Sequence, residues 1–409
     1  MVSLDLVKRL AGMRDLSGGE LERVQALTNS VSDVLSAAGY APLETPVVEQ
    51  VELFVRKSGG EIGGSLYAFT DPGGLKVSLR PEFTSSVIRH YIESSEARTG
   101  PCRWRYAGPV FRHDYGDSGE YRQFMQVGAE LVGDSSPGAD AEILGLVLEC
   151  LTRAGIGDAR FMIGHLGLIH EVLESFGLSE PVRLFVIGNM GRLRGGSEDA
   201  VGLRTRAEES GLVFGNPSKP TAGADDSQLD REVLLGLFGD TSAALMGRRT
   251  PEDIVDRLLR KVRDATDPGS FQAAVEMTSQ LGGLTGDPRD VVDAADSVLV
   301  QAGVKSQLIA ELKSTLATLA ATGFPFERTR LDFSFARGIA YYTGLVFEVH
   351  VQGASGPVTV GGGGRYDDLV RALGGQEDVP ALGFAFTMER LMAASGSAMG
   401  AAAARDSEA

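Results

Sequence analysis

Residues 103–133, RWRYAGPVFRHDYGDSGEYRQFMQVGAELVG, are the most informative part of this sequence. The first twelve residues predict a strand, YGDSGEY predicts a loop, and RQFMQVGAELVG predicts a returning antiparallel strand. In the returning strand, one side carries Gln123, Met125, Val127, Ala129 and Leu131, and the other carries Phe124, Gln126, Gly128 and Glu130. A strand that is apolar on one side and carries Gln, Gly and Glu on the other can line a polar pocket while it rests on a core. The glycine on the polar side predicts close approach of a ligand to the backbone.

Hydrophobic periodicity and turn residues predict the other elements of an α+β protein. They are a helix over 20–39, an extended edge segment over 41–48, a hairpin over 67–80, a helix over 139–155, strands over 329–338 and 339–352, a tight glycine-rich turn at Gly361 to Gly364, a helix from Tyr366, and a strand–helix unit over 381–394. Because Tyr341 and Tyr342 are adjacent in a predicted strand, we expect only one of them to face a pocket.

The same patterns predict a core that is interrupted in sequence. Residues 1–155 form its first part and residues 326–394 its second. Between them, residues 156–325 are largely helical in pattern and predict an inserted domain. Residues 395–409 are small and low in complexity, which predicts a disordered tail.

Composition narrows the function. The chain has 409 residues, 43% of them hydrophobic and 23% charged, which is typical of a globular protein. The formal net charge is −16. Proteins that hold long polyanions neutralise phosphates with a basic face, so this balance counts against tRNA as a partner.

Cofactor, metal and membrane classes receive no support from the sequence. The apolar stretches fall short of the roughly 20 residues that a membrane span needs, and the first residues lack the apolar region of a signal peptide. Cys102, Cys150 and five histidines show no metal-ligand or disulfide spacing. We therefore expect a cytoplasmic protein without a metal or cofactor.

Six segments in chain order resemble the motifs of the histidine-type class II aminoacyl-tRNA synthetases. The region from Gly39 to Pro46 resembles motif 1, GPVFRHD…YRQFMQVGAEL (108–131) motif 2, and GFAFTMERL (383–391) motif 3. LRPEFT (79–84), ARGIAYYTGLVFE (336–348) and GGGGRYDDLV (361–370) resemble the histidine enzymes' own signatures. The resemblance implies an antiparallel sheet flanked by helices, and a homodimer formed through the motif 1 region.

The resemblance also implies a histidine pocket. Its matching residues are Glu82, Thr84, Gln126, Glu130, Arg337, Tyr341 and Tyr342. The first three would hold the ammonium group, Glu130 and Tyr342 would receive the imidazole, and Arg337 would lie near the carboxylate. Carboxylates and amide oxygens are suitable acceptors for such donors.

Two further arginines match the residues with which the family holds ATP. These are Arg112 in motif 2 and Arg390 in motif 3, and a planar guanidinium suits phosphate oxygens. If catalysis is lost, they would be vestigial and could equally serve as structural partners of carboxylates.

Four departures from the family pattern favour such a loss. The motif 2 loop, Asp114 to Glu120, carries three carboxylates where the synthetases are basic, which opposes a triphosphate. Ala340 replaces the aspartate of the RGLDYYTG signature, and Phe83 replaces a glycine and would narrow the pocket. The sequence ends 19 residues after Arg390, so no anticodon-binding domain is expected.

One branch of the family combines these departures: the regulatory subunits of ATP phosphoribosyltransferase, the first enzyme of histidine biosynthesis. Residues 161–180 and 311–324 also resemble that branch. The implied function is a non-catalytic subunit that binds L-histidine, assembles with a short-form catalytic subunit and makes it sensitive to feedback, which is a coupling between two sites. The alternatives are an active histidine–tRNA ligase, a free-standing histidine-activating enzyme, or a scaffold that keeps the pocket without using it.

Overall fold

A computed structural model describes most of the chain. The described residues are 7–56, 63–94, 100–113, 121–193, 197–210, 212–213, 267–335, 341–353 and 356–395. They divide into two compact units, one within 1–168, 284–299 and 305–409, and one within 169–283 and 300–304. The tail predicted over 395–409 lies outside the described residues except for its first residue.

Two sheets form the strand framework of the first unit. The strands are β1 (Ala41–Pro42), β2 (Val48–Gln50), β3 (Ala68–Thr70), β4 (Lys76–Leu79), β5 (Cys102–Phe111), β6 (Gln123–Val132), β7 (Arg160–His165), β8 (Thr285–Gly286), β9 (Thr329–Asp332), β10 (Leu345–Gly353), β11 (Gly356–Arg365) and β12 (Ala381–Thr387). In the described residues, nine of them form one sheet in the order β1-β5-β6-β12-β11-β10-β7-β9-β8, and β2-β4-β3 form a second. Only the pairs β1–β5 and β7–β9 are parallel, so the large sheet is mostly antiparallel, as predicted.

The helices of the described residues are distributed between the two units. They are α1 (Gly18–Ala37), α2 (Val51–Val55), α3 (Thr84–Glu93), α4 (Pro137–Arg153), α5 (Leu166–Ser175), α6 (Glu180–Ile187), α7 (Met190–Leu193), α8 (Ser197–Glu209), α9 (Pro268–Gly282), α10 (Pro288–Gln301), α11 (Gln307–Ala321) and α12 (Leu369–Ala372). Residues 388–395 are also helical, and Phe326–Arg328 form a 3-10 turn. None of the helices in the described part combines the length and hydropathy that crossing a bilayer requires.

The predicted hairpins and the first helices are confirmed. β5 and β6 pair antiparallel with Gly108 opposite Gln126, and β3 pairs antiparallel with β4. Helix α1 buries Val24, Val31, Val34 and Leu35 on one stripe, and the chain leaves it through Gly39 at φ +87°. That φ lies in the left-handed region, where glycine carries no Cβ penalty.

The segment 160–165 lies in the stretch that was predicted to be largely helical, but it is a strand. It forms β7, which pairs antiparallel with β10 and parallel with β9 in the interior of the large sheet. A strand buried on both faces shows a continuous apolar run without alternation, and such a run does not distinguish strand from helix. Residues 156–168, 284–299 and 305–325 belong to the first compact unit.

The prediction of a tight turn at Gly361 to Gly364 was also wrong. All four glycines lie in β11, paired with β10 on one side and β12 on the other. A Cβ added at Gly363 would overlap the carbonyl oxygen of Gly383 in the neighbouring strand, and one added at Gly361 would lie 2.7 Å from the carbonyl oxygen of Ala385. These glycines therefore serve close packing of strand against strand and not chain reversal.

Candidate functional site

A cavity of about 390 Å³ lies in the first unit over β6, β11 and β12, a size typical of small-molecule sites. The β5–β6 hairpin and helix α3 contribute to its wall. The lining residues are Glu82, Thr84, Arg112, Tyr121, Phe124, Gln126, Tyr341, Tyr342, Val358, Thr359, Gly361, Gly362, Gly363, Tyr366, Gly383, Phe384, Ala385, Thr387, Glu389, Arg390 and Ala393. Phe124 and Gln126 confirm the prediction that their side of β6 lines a polar pocket.

Glu130 lies behind the cavity wall and is fully buried. Its Oε1 atom accepts hydrogen bonds from the Thr84 hydroxyl at 2.7 Å and the Tyr106 hydroxyl at 3.0 Å, and its Oε2 atom accepts one from the Tyr366 hydroxyl. Burial raises the pKa of Glu130 to about 7, although the three hydroxyl donors act in the opposite direction. A carboxylate of this kind titrates near neutral pH.

Glu82 marks the start of helix α3. The backbone amide of Ser85 donates to both Glu82 carboxylate oxygens, at 3.1 and 3.2 Å, which satisfies one of the unpaired amides of the helix terminus. Burial raises the pKa of Glu82, and the Ser85 hydrogen bonds and the Arg112 guanidinium lower it in part. The structure thus brings a second buried carboxyl group to the cavity wall.

Gln126 lines the cavity and carries an acceptor that the described residues leave unused. Its Oε1 atom is buried and has no hydrogen-bond partner within the described part of the chain. A buried polar atom without a partner carries a free-energy cost of about 1–3 kcal/mol, which a ligand donor would remove. Gln126 is therefore the lining residue whose chemistry most directly indicates a bound donor group.

Tyr341 and Tyr342 both line the cavity, contrary to the prediction that only one would. They precede β10, which begins at Leu345, so strand alternation does not apply to them. Their ring centroids lie 4.9 Å apart, and the Tyr341 ring also meets Tyr366 edge-on at 5.6 Å. Together the three rings form an aromatic wall.

Two sequence interpretations of the pocket need correction. Phe83 does not narrow the cavity; it is buried with Val87, Tyr106 and Val110, and its ring stacks on Tyr106 at 4.3 Å. Nor is Gly128 a point of ligand approach, because the space beside its Cα is occupied by the Tyr106 hydroxyl, 2.7 Å from where a Cβ would stand. The side chain of Tyr106 therefore both stacks on Phe83 and fills the space beside Gly128.

Arg112 and Arg390 line the end of the cavity near the start of β6. The Nε atom of Arg112 donates to the Pro81 carbonyl at 3.0 Å, and its guanidinium lies 5.4 Å from the centre of the Phe124 ring. A terminal nitrogen of Arg390 donates to the Thr359 carbonyl at 3.1 Å. The two cations share a cavity with Glu82 and Gln126.

Sequence reasoning gave no site role to the groups beside these arginines. The Glu389 carboxylate accepts from the Met125 amide at 3.0 and 3.1 Å and lies 3.3 Å from Arg14, whose guanidinium is 4.2 Å from the centre of the Tyr121 ring. Tyr106 and Tyr366 were missed as well. Tyr366 lies in the quoted segment GGGGRYDDLV, and Tyr106 lies in the predicted strand that begins at Arg103. Both were therefore within segments that the sequence analysis had singled out.

Some predicted site residues lie outside the described part of the chain. These are Arg337, Ala340 and the acidic loop from Asp114 to Glu120. For metals, no group of three or more histidine, cysteine, aspartate or glutamate side chains is arranged to hold an ion among the described residues.

Comparison with known proteins finds one family. The family model for histidyl-tRNA synthetase matches residues 12–186 and 252–391. The histidine–tRNA ligase of Pyrobaculum arsenaticum is 32% identical over 391 residues, covering 96% of this chain and 76% of that protein. That of Sulfurisphaera tokodaii is 29% identical over 391 residues, covering 95% and 75%.

Solved structures show the same fold. A Bacillus halodurans protein described as an ATP phosphoribosyltransferase regulatory subunit/histidyl-tRNA synthetase aligns with a TM-score of 0.67 and 21% identity, over 96% of this chain and 84% of that one. A histidine–tRNA ligase subunit from Alicyclobacillus acidocaldarius aligns with a TM-score of 0.59 and 25% identity, over 96% and 98%.

Proposed function

The chain belongs to the histidyl-tRNA synthetase family, and we propose that it binds L-histidine in the cavity and acts as a non-catalytic regulatory subunit of ATP phosphoribosyltransferase. The single observation that carries histidine binding is the unpartnered, buried Oε1 atom of Gln126, a residue of a cavity that Glu82 also lines. An ammonium group supplies three donors and a positive charge, and both lining residues offer acceptors.

Another part of the same cavity wall suits the imidazole. Tyr342 and Tyr366 line the cavity there, and the Tyr366 hydroxyl donates to the buried Glu130 carboxylate. Antiparallel pairing sets Gln126 opposite Thr387 and Glu130 opposite Gly383, so the ammonium and imidazole positions lie along one strand. The four-residue separation corresponds to about 13 Å along an extended strand, and side chains from both ends reach inwards to a ligand between them.

The regulatory role is supported by charge. Arg112 and Tyr121 line the cavity at the two ends of the loop that carries Asp114, Asp117 and Glu120. Three carboxylates in that connection oppose a triphosphate near Arg112, and the net charge of −16 opposes a polynucleotide. Histidine that binds here would bias the assembly with a short-form catalytic subunit towards a less active state.

Self-association through the motif 1 region is part of this proposal. The small sheet β2-β4-β3 and helix α2 follow that region and expose a group of large apolar side chains. Their exposed fractions are Val47 39%, Val48 45%, Val55 42%, Phe69 47% and Leu75 57%. Large exposed apolar patches mark protein interfaces, and a second copy of the chain would cover these side chains.

A second function, activation of histidine with ATP, is favoured by one specific observation. Arg112 and Arg390 line the same cavity as Glu82 and Gln126, so a phosphate-bearing ligand held by the arginines would meet a bound amino acid. The ligases named above are similar to this chain over most of its length.

The deciding experiment combines two assays on the purified protein. Calorimetry with L-histidine is expected to show binding that Gln126→Ala weakens, whereas Gln352→Ala, an exposed glutamine on β10, leaves it unchanged. Histidine-dependent ATP–pyrophosphate exchange is expected to be absent. Exchange would overturn the non-catalytic role and establish the second function, and failure to bind histidine would overturn both.

The partner is tested separately with a short-form ATP phosphoribosyltransferase. We expect co-purification of the two proteins and inhibition of the mixture by L-histidine, and we expect Gln126→Ala to retain the complex but lose the inhibition. Co-purification without histidine sensitivity would remove the regulatory role and leave a scaffold.

A further inference from the structure

The carboxylate of Glu389 takes the place of a strand partner at the start of β6. β12 ends at Thr387, which pairs with Gln126. The amide of the preceding residue, Met125, donates instead to both carboxylate oxygens of Glu389, at 3.0 and 3.1 Å. Because a backbone amide shielded from water is costly to leave unpaired, this side chain helps to hold Met125 and the adjoining Gln126 in position.

Arg14 supplies the positive charge beside Glu389. One of its terminal nitrogens lies 3.3 Å from the Glu389 carboxylate, and the other donates to Glu20 at 2.7 Å. The nitrogen near Glu389 has no hydrogen-bond partner among the described residues, so the attraction between the two groups is one of charge. The Arg14 side chain is 12% exposed and that of Glu389 11%, so solvent screens this pair less than it screens a surface pair.

The backbone next to Arg14 is tied to the same part of the first unit. The Arg122 amide donates to the Gly12 carbonyl at 2.7 Å, and the Arg122 carbonyl accepts from the Arg112 amide at 2.9 Å. The Arg14 guanidinium lies 4.2 Å from the centre of the ring of Tyr121, which lines the cavity. The segment before helix α1 therefore supports the cavity wall through both its backbone and one side chain.

We propose that Arg14 is a positioning residue for the cavity, which holds Glu389 and, through it, the Met125 amide that precedes Gln126. Arg14 is not itself a lining residue, so it acts on a ligand only through these groups. Without its charge, the Glu389 carboxylate is free to turn away from Met125, and the start of β6 loosens. This inference rests on the proposed binding of histidine.

Calorimetry with L-histidine tests the effect on binding. Arg14→Gln is expected to weaken binding by about three- to thirtyfold, the range typical of a residue that acts on a site without touching the ligand. Arg14→Lys keeps a positive charge and is expected to bind histidine more tightly than Arg14→Gln. Arg9→Gln is the matched control and should bind as the wild type does, because Arg9 lies in the same segment but pairs with Asp15 at 3.1 Å.

A double-mutant cycle tests whether the effect passes through Glu389. In a Glu389→Gln background, Arg14→Gln should weaken binding by less than about twofold, because the charge that Arg14 pairs with has already been removed. Full additivity of the two substitutions would overturn the route through Glu389.

Hydrogen exchange of the backbone amides is a second readout that needs no ligand. The Met125 amide should exchange about tenfold faster in Arg14→Gln than in the wild type. The amides of Val127 and Ala129, further along β6, are the internal reference and should exchange at the wild-type rate. A change at all three positions would indicate general destabilisation and overturn the positioning role.

The proposed function and this inference fail in different ways. A wild type that does not bind histidine would overturn the proposed function, and with it the role of Arg14 in binding. Wild-type binding that Arg14→Gln leaves unchanged would overturn the inference alone. Equal weakening in Arg14→Gln and Arg14→Lys would also overturn it, because the charge of Arg14 would then have no part in the effect.

Discussion

The hydroxyl of Thr84 donates a 2.7 Å hydrogen bond to the carboxylate of Glu130, 46 positions later in the chain. Thr84 is the first residue of α3, and Glu130 lies near the end of β6. The bond therefore joins a helix terminus to a central strand directly behind the cavity. It also supplies one of only three described donors to a carboxylate that has no contact with solvent.

Thr84→Val should destabilise the protein. Valine keeps the shape of threonine but leaves a buried carboxylate with one donor fewer, which typically costs about 1.5–3 kcal/mol for a charged acceptor. Urea unfolding at pH 8 measures the loss. Thr318→Val, at an exposed threonine of α11 whose hydroxyl bonds to the Ser314 carbonyl, is the matched control and should change stability by less than about 0.5 kcal/mol. Equal effects would contradict the role of the Thr84 bond.

Glu130 should make the protein less stable as pH rises. Its pKa is raised from 4.5 to about 7 by burial, so the folded state retains a proton that the unfolded state has lost. Stability from this group therefore falls between about pH 4.5 and 7 and is constant above that range. The shift corresponds to about 3 kcal/mol. Urea unfolding of wild type and Glu130→Gln from pH 5 to 8 should show a shallower decline in the variant, and parallel curves would contradict the prediction.

His165 should make the protein less stable as pH falls, whereas Glu130 makes it less stable as pH rises. Burial, followed by the charge of Arg365, lowers the pKa of His165 from 6.5 to about 4, and the Leu168 amide donates to its Nδ1 atom at 3.1 Å. Below pH 6.5 the imidazole binds a proton in the unfolded state, but in the folded state it does so only near pH 4. The free energy of unfolding therefore falls as pH decreases from about 6.5 to about 4. His165→Asn keeps an acceptor for Leu168 and should flatten this loss; an unchanged acid limb would count against it.

Replacing glycine by alanine should lower the stability of the protein at one position and raise it at another. Gly363→Ala would force a Cβ against the Gly383 carbonyl, which is backbone and cannot yield locally, so we expect a loss of at least about 1–3 kcal/mol. Gly145 lies in α4 with no atom within 4 Å of an added Cβ, and Gly145→Ala should stabilise by about 0.5–1 kcal/mol. Thermal unfolding of both variants is the measurement. A stable Gly363→Ala would contradict the close packing of β11 on β12.

The polar side of β6 could be predicted from the sequence because its two faces have different surroundings. Apolar and polar side chains therefore alternate along the strand. Phe124 and Gln126 line the cavity as that pattern predicts. Glu82 and Thr84 carried no such local signal, since they lie at the start of a helix, and only the family resemblance pointed to them. The periodicity of a segment describes its own faces and not what another segment brings to them.

The errors have a common cause in tertiary contact. The glycines from Gly361 to Gly364 look like turn residues, and only the neighbouring Gly383 carbonyl explains their place in a strand. Phe83 was expected to narrow the pocket, but its ring stacks on Tyr106 in the core. The hydroxyl donors around Glu130 come from three distant segments, so no window of sequence contains them.

The strand order has a consequence for how the chain is made. β12 lies between β6 and β11, yet the whole second unit is translated between β6 and β12. During synthesis, the edge of β6 that pairs with β12 therefore keeps its amide and carbonyl groups unpaired until β12, the last strand of the sheet, has left the ribosome. Such an edge is a template for wrong pairing with other nascent chains. Yield in the cell should accordingly depend on chaperones that shield this hairpin during synthesis, more than on the stability of the finished sheet.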